Sequence, residues 1–304
     1  MHLIEIINKS NMKKILKSVY SLSGKVFFTV VSIISILLFS SFRCAIRLKK
    51  ISKKNTLREI YILGNGPSLN GILKTNQSTF ISKNLMVVNF FCFDEAFITL
   101  KPNYYVFIEP NFLLKNPHIK FNEKVPLFID AMMKVDWNLS FFYPQGYKNS
   151  YVISRLKENK NITVISFNTT PLTGFEILNQ FFYTQNLGMP IAQNISIAAI
   201  FISLQLNFKV INLFGVEHSW LSNLYINELN QVCLNDKHCY KESETLTIYE
   251  DVSLSDLLSD YSKVFNSHKC LRYYSDKIGA KIINYSNGSY IDAYERNGIS
   301  CLII

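Results

Sequence analysis

The chain has 304 residues, 48% of them hydrophobic and 18% charged, with 11 glycines and 8 prolines, a composition that excludes a low-complexity or disordered protein. A formal net charge of +10 favours anionic partners such as phospholipid head groups, nucleotides or acidic glycans. Nucleic acid is set aside, because the basic residues crowd between Lys13 and Arg58 instead of interleaving with aromatics along a groove. Six scattered cysteines (Cys44, Cys92, Cys233, Cys239, Cys270, Cys301) contain no CxxC pair, so neither a zinc knuckle nor a disulfide framework is expected, and a reducing cytoplasm is the simplest setting.

The first element is Val26 to Phe42, a run of 17 residues without a charge, near the lower limit for crossing hydrocarbon. Lys13, Lys14, Lys17 and Lys25 precede it, and Arg43, Arg47, Lys49, Lys50, Lys53 and Lys54 follow. Positive charge directly after the run argues against a cleaved signal peptide. Two membrane readings stay open: a short transmembrane anchor with the remainder in the cytoplasm, or a helix lying in the interface on anionic lipid. An ordinary buried helix is the plainer alternative. A segment over 1–54 is thus set apart from a domain over 55–304.

After Lys54 the pattern changes to strands and helices in alternation. Arg58 to Leu63, Leu85 to Phe90 and Tyr104 to Ile108 read as buried strands, and Pro126 to Asp130 and Ile162 to Phe167 as weaker ones. Ile191 to Leu206 predicts a central helix, apolar nearly all round. Lys209 to Phe214 predicts a strand, 220–251 a polar and irregular lid, Ser253 to Lys277 a helix and Lys281 to Tyr285 a last strand. The expected class is α/β: a mostly parallel sheet with helices on both faces, a lid insertion and an N-terminal apolar helix.

Ligands of such sheets bind at the carboxyl ends of strands, where three polar clusters fall: Gly64 to Ser68, Asn89, and Gly215 to Trp220. The Gly64-Asn65-Gly66-Pro67-Ser68 loop suits a phosphate or ribose, with glycines for close approach and Asn65 and Ser68 as donors. It lacks the lysine of a P-loop and the spaced glycines of a dinucleotide fingerprint. Among the histidines, His218 follows a strand, and His238 lies in a polar loop beside Lys237 and Tyr240. His268 reads as structural, on a helix face, and His118 and His2 receive no role. Glu109, after the third strand, could touch ribose or sit on the surface.

Ile62-Leu63-Gly64-Asn65-Gly66-Pro67-Ser68-Leu69 followed by Val88-Asn89-Phe90 resembles the opening of the bacterial CMP-sialic-acid-dependent sialyltransferases, and of related polysaccharide-biosynthesis transferases of the keto-sugar Kdo. Gln193-Asn194-Ile195-Ser196, Val210 to Glu217 and Ser286 to Ile291 follow in the same order. The resemblance spans roughly Arg58 to Arg296 and is dense only in these patches. It implies a Rossmann-like nucleotide-binding domain in which Gly64, Asn65, Gly66, Pro67, Ser68 and Asn89, with Gln193, Asn194 and Ser289, hold a CMP-sugar. It further implies His238 as the base that deprotonates an acceptor hydroxyl. The family's leaving-group tyrosines are replaced here by His218-Ser219-Trp220, which passes that role to His218.

The implied activity is metal-independent transfer of a nonulosonic or Kdo-type sugar to a glycan or glycolipid acceptor, in lipopolysaccharide or capsule synthesis at the cytoplasmic face of the bacterial inner membrane. A CMP-sugar carries one phosphate, so protein donors can assist its departure, and the chain contains no Asp-x-Asp pair. Asn-Gly-Pro-Ser-Leu also occurs in pterin pyrophosphokinase-like proteins, which gives the alternative enzyme reading; a non-catalytic membrane scaffold in polysaccharide assembly is the other alternative.

Overall fold

The computed structural model describes residues 2–236, 245–249 and 251–298. Its centre is an eight-stranded sheet, parallel at every pairing. In chain order the strands are β1 (Glu59–Leu63), β2 (Leu85–Val88), β3 (Tyr104–Val106), β4 (Leu139–Pro144), β5 (Ile162–Phe167), β6 (Val210–Phe214), β10 (Lys281–Asn284) and β11 (Glu295–Arg296). Across the sheet they run β11-β10-β6-β1-β2-β3-β4-β5. The chain thus winds outward from β1 to β5, returns past β1 to lay down β6, and continues toward the opposite edge. The order of winding reverses between β1 and β6, the point at which open parallel sheets bind ligands.

Both faces of the sheet are buried, as the continuous apolar strands require. Successive residues of β1 go to opposite sides: Tyr61 and Leu63 join one hydrophobic cluster, Ile60 and Ile62 the other. Four helices cover the first face: α3 (Ser68–Asn76), α4 (Ala96–Leu100), α5 (Lys124–Met133) and α6 (Tyr151–Leu156). On the other face, α7 (Glu176–Thr184) and α9 (Leu254–Lys277) flank α8 (Ile195–Gln205). Helix α8 is buried from Ser196 through Gln205, in accord with its all-round apolar sequence.

One expected strand is a helix. Residues 126–130 belong to α5, in which Val125, Phe128, Ile129 and Met132 are buried at helical spacing. Pro126 falls in the first turn, where a missing N–H costs no intrahelical bond, so the proline does not break the element. Strand β4 was not expected at all, and the lid is more ordered than its composition implied. It forms a second, antiparallel sheet of β7 (Leu224–Ile226), β8 (Val232–Asp236) and β9 (Thr245–Tyr249).

The N-terminal apolar run lies in α1 (His2–Phe39), and Ser41 caps α2 (Phe42–Lys54), its Oγ accepting from Cys44 N–H at 3.4 Å. Segment 18–39 is long and apolar enough to cross a membrane. Helix α2 contributes Ala45 and Leu48 to the protein interior, and Ile36 of α1 joins the same cluster as Leu48 and α8. The loop after β5 anchors this junction: Asn168 Oδ1 accepts from Ser41 N–H at 2.8 Å, and Asn168 Nδ2 donates to Asn186 O at 2.8 Å.

Candidate functional site at the β1/β6 junction

A cleft of about 340 Å³ opens at the carboxyl ends of β1, β2 and β6, at the reversal of strand order. Two loops close its floor against each other. Gly64 N–H donates to Phe214 O at 2.7 Å, and Gly66 N–H donates to Gly215 O at 2.8 Å. The glycines are needed for this contact: a Cβ on Gly64 would stand 2.3 Å from Gly215 O, and one on Gly66 1.4 Å from Glu217 Oε2. The close approach expected for a ligand is used here by the second loop.

Glu217 occupies the donors of Ser68 in the first loop. Its Oε1 accepts from Ser68 N–H at 3.0 Å and also from the Ser68 hydroxyl. The carboxyl is buried, and burial raises its pKa, against the lowering effect of the two Ser68 bonds. Asn65 borders the cleft with its Oδ1 buried and without a hydrogen-bond partner among the described residues. Such an acceptor is costly to leave empty and suits a ligand N–H or O–H. Asn89 adopts the left-handed conformation (φ 46°), and its Oδ1 accepts from Ile108 N–H at 3.4 Å.

The opposite wall is the N-terminus of α8. Asn194 caps the helix, its Oδ1 accepting from Ser196 N–H at 2.8 Å, and Asn194, Ile195 and Ser196 all line the cleft. A helix N-terminus carries partial positive charge and unsatisfied amides, which suits an anion.

His218 closes this wall in a left-handed conformation (φ 53°), uncommon for a residue with a Cβ. Its Nε2 lies 3.2 Å from Ser196 Oγ and 2.9 Å from His268 Nε2, and His268 Nδ1 lies 2.8 Å from Tyr294 Oη. One of the two facing Nε2 atoms must carry the shared proton. If Tyr294 O–H donates to His268 Nδ1, then His268 Nε2–H donates to His218 and the His218 proton sits on Nδ1. Running the chain the other way leaves His218 Nδ1 as an acceptor. Either way, Nδ1 is the ring atom His218 has left to offer a ligand. Burial lowers the pKa of His218 to about 3, and lowers that of His268 well below its ordinary value, with the neighbouring His218 adding to it. Both rings are neutral at pH 7. Trp220 stacks on His218, with ring centroids 4.4 Å apart, and shields it from water.

The structure gathers Gly64, Asn65, Gly66, Pro67, Asn89, Asn194 and His218 around one cleft. Ser68 is adjacent, held by Glu217. Gln193 faces a neighbouring hollow of about 360 Å³ and donates to Asp260 Oδ1 at 3.2 Å. Ser289 lies beneath the second loop, donating to Val216 O and Glu217 O at 3.1 Å each, and so braces it. His238 falls outside the described residues, in the connection between β8 and β9. Glu109 and His118 line neither cavity. The sequence gives no individual role to Glu217, Ser196, Trp220 or Tyr294, although Glu217 and Trp220 fall within the Gly215 to Trp220 cluster. The first three had a usable signal, adjacency to a strand end or a helix start, whereas Tyr294 had none.

No protein-family model matches the chain, and no curated protein matches it. Among solved structures, the chain is similar to the MAf glycosyltransferase from Magnetospirillum magneticum AMB-1, at 12% identity and a TM-score of 0.42 over 80% of this chain. The match spans 34% of that protein's length.

Proposed function

We propose that the chain is a metal-independent glycosyltransferase that binds a CMP-activated nonulosonic or Kdo-type sugar in the β1/β6 cleft. The acceptor is a surface glycan, of lipopolysaccharide or capsule, at the cytoplasmic face of the bacterial inner membrane. The observation that carries the reading is one cleft bordered both by the amino end of α8 and by Asn65, whose buried Oδ1 has no partner among the described residues. The first suits a single phosphate; the second suits a cytosine amine or a ribose hydroxyl.

In this reading the phosphate sits at the α8 terminus, because Glu217 already fills the donors of Ser68. An acceptor hydroxyl attacks the anomeric carbon as the bond to the CMP phosphate breaks, which inverts that centre. The hydroxyl proton passes to His238, since a base must have a pKa near the working pH and His218, at about 3, does not. His218 instead offers Nδ1–H to the departing phosphate oxygen, in the proton arrangement that starts from Tyr294.

Thermal stability of the purified protein with CMP, CMP-sugars, UDP, GDP and ATP, each with and without magnesium, tests the assignment. Stabilisation by CMP or a CMP-sugar without metal is expected. Stabilisation by ATP with magnesium alone would sink it and favour the pyrophosphoryl-transfer alternative.

A further inference from the structure

From Lys25 onward, helix α1 has its polarity reversed relative to a helix in water. The stripe it turns toward the protein is largely hydroxylic. Thr29 Oγ1 accepts from Phe175 N–H at 2.9 Å, and Ser32 Oγ accepts from Thr173 N–H at 2.9 Å. One turn beyond the buried Ile36, Ser40 Oγ donates to Leu187 O at 2.5 Å. Gly174 fits the backbone against this stripe, since a Cβ there would come within 2.2 Å of Thr29 Oγ1. The outward face is hydrocarbon instead: Phe27, Val30, Ile34, Leu37 and Leu38 are all about half exposed or more. Ile177 and Phe181 extend this surface onto α7, which begins directly after Phe175. Phe42 and Ile46 extend it onto α2. A soluble helix buries its apolar stripe, so this face is built for a hydrocarbon partner.

The same contacts decide how the helix meets lipid. They run from Lys25, whose carbonyl lies against Gly174, past the end of the helix at Phe39 to Ser41, and so cover about 21 Å of helix. A crossing helix needs roughly 30 Å surrounded by lipid. Here the protein body accompanies most of the apolar length, and the 168–175 loop would carry its backbone polar groups into the hydrocarbon. Lying flat removes the conflict: the body stays in water while the outward face enters one leaflet. Helix α2 supplies the electrostatic part, with Arg43, Arg47, Lys49, Lys50, Lys53 and Lys54 exposed and no acidic residue.

We propose that α1, α2 and the start of α7 form one seating face that rests in a single leaflet of an anionic bilayer, without crossing it. This rests on the membrane association proposed above and not on the chemistry of the cleft, so nucleotide binding and membrane topology fail independently. The test uses the full chain, expressed in a bacterial host with a protease site on a flexible leader ahead of Met1 and a second site after Ile304. Inverted inner-membrane vesicles then expose the cytoplasmic side. Complete cleavage at both sites without detergent is expected; protection of the leader until detergent is added would show a crossing helix and overturn the proposal.

Flotation of the purified chain with vesicles checks the partner. Recovery at least ten-fold higher with phosphatidylglycerol than with phosphatidylcholine alone is expected, and should fall at least ten-fold in Ile34→Glu/Leu38→Glu, whose side chains face away from the body. Equal recovery on both lipids would overturn the anionic preference. No recovery on either, with a stable dimer in detergent-free solution, would show that a second copy covers this face.

Discussion

Asn65 and the His218 chain are where single atoms carry the site. Removing the unpartnered acceptor in Asn65→Ala should weaken CMP binding by about ten-fold, the worth of one hydrogen bond, while leaving the unfolding midpoint unchanged or raised. Titration calorimetry against thermal unfolding separates the two effects. Asn89→Ala is a poorer probe, because it also removes a residue suited to a left-handed backbone. The histidines predict a pH dependence. His218 is neutral when folded down to about pH 3, but takes a proton near 6.5 when unfolded, so below that value the unfolded state binds more protons. Stability is therefore full above pH 6.5 and falls as the solution is acidified, by about 2 kcal/mol at pH 5 from His218 alone. Urea unfolding of wild type and His218→Gln at pH 7 and pH 5 should show the smaller pH loss in the variant. The loop residues were legible because glycine, asparagine and proline cluster at a strand end. The bonds from Glu217 to Ser68 and from His218 to His268 were not, since they join residues 149 and 50 positions apart.

Among the elements, those with one consistent period were the most legible. The α8 segment read correctly because nothing in it contradicts burial all round, and β5 because its β-branched run suits an edge strand, with Ile162, Ile165 and Phe167 buried and Thr163 exposed. Residues 126–130 misled because a proline within an apolar run resembles an edge strand, and only the neighbouring Val125 and Met132 complete the helical face. Strand β4 was missed although Asn138 and Pro144-Gln145-Gly146 frame it, because the unbroken apolar run Phe141-Phe142-Tyr143 has no period that separates strand from helix. Two glycines test how well the element assignments explain stability. Gly71, inside α3, has nothing within 4 Å of where a Cβ would stand, so Gly71→Ala should stabilise by about 0.5–1 kcal/mol. Gly64→Ala meets the Gly215 carbonyl and should destabilise by about 1–3 kcal/mol, both read by chemical denaturation.

At the scale of the molecule, the alternation of strands and helices was enough to give a doubly covered parallel sheet, and the cleft lies at its rim. The sequence did not reveal how tightly the N-terminal helices join the body. A boundary after Lys54 cuts through packing: Ala45 and Leu48 are buried, and Ser41 N–H donates to Asn168 Oδ1 at 2.8 Å. Deleting 1–39 should give a chain that folds and stays in solution. Deleting 1–54 also removes Leu48, at a cost of about 2–5 kcal/mol, and should yield a lower unfolding midpoint or aggregates. Size-exclusion chromatography and thermal unfolding of the two truncations make the comparison.

The loop that grips α1 follows β5, so it leaves the sheet at the same rim as the loops after β1 and β6. Four strand spacings separate β5 from β1, or about 20 Å. For a chain seated on a leaflet this distance is a measure of reach. An acceptor whose lipid tail stays embedded could extend its sugar end into the cleft without leaving the bilayer, and those with head groups too short to span that gap would go unmodified.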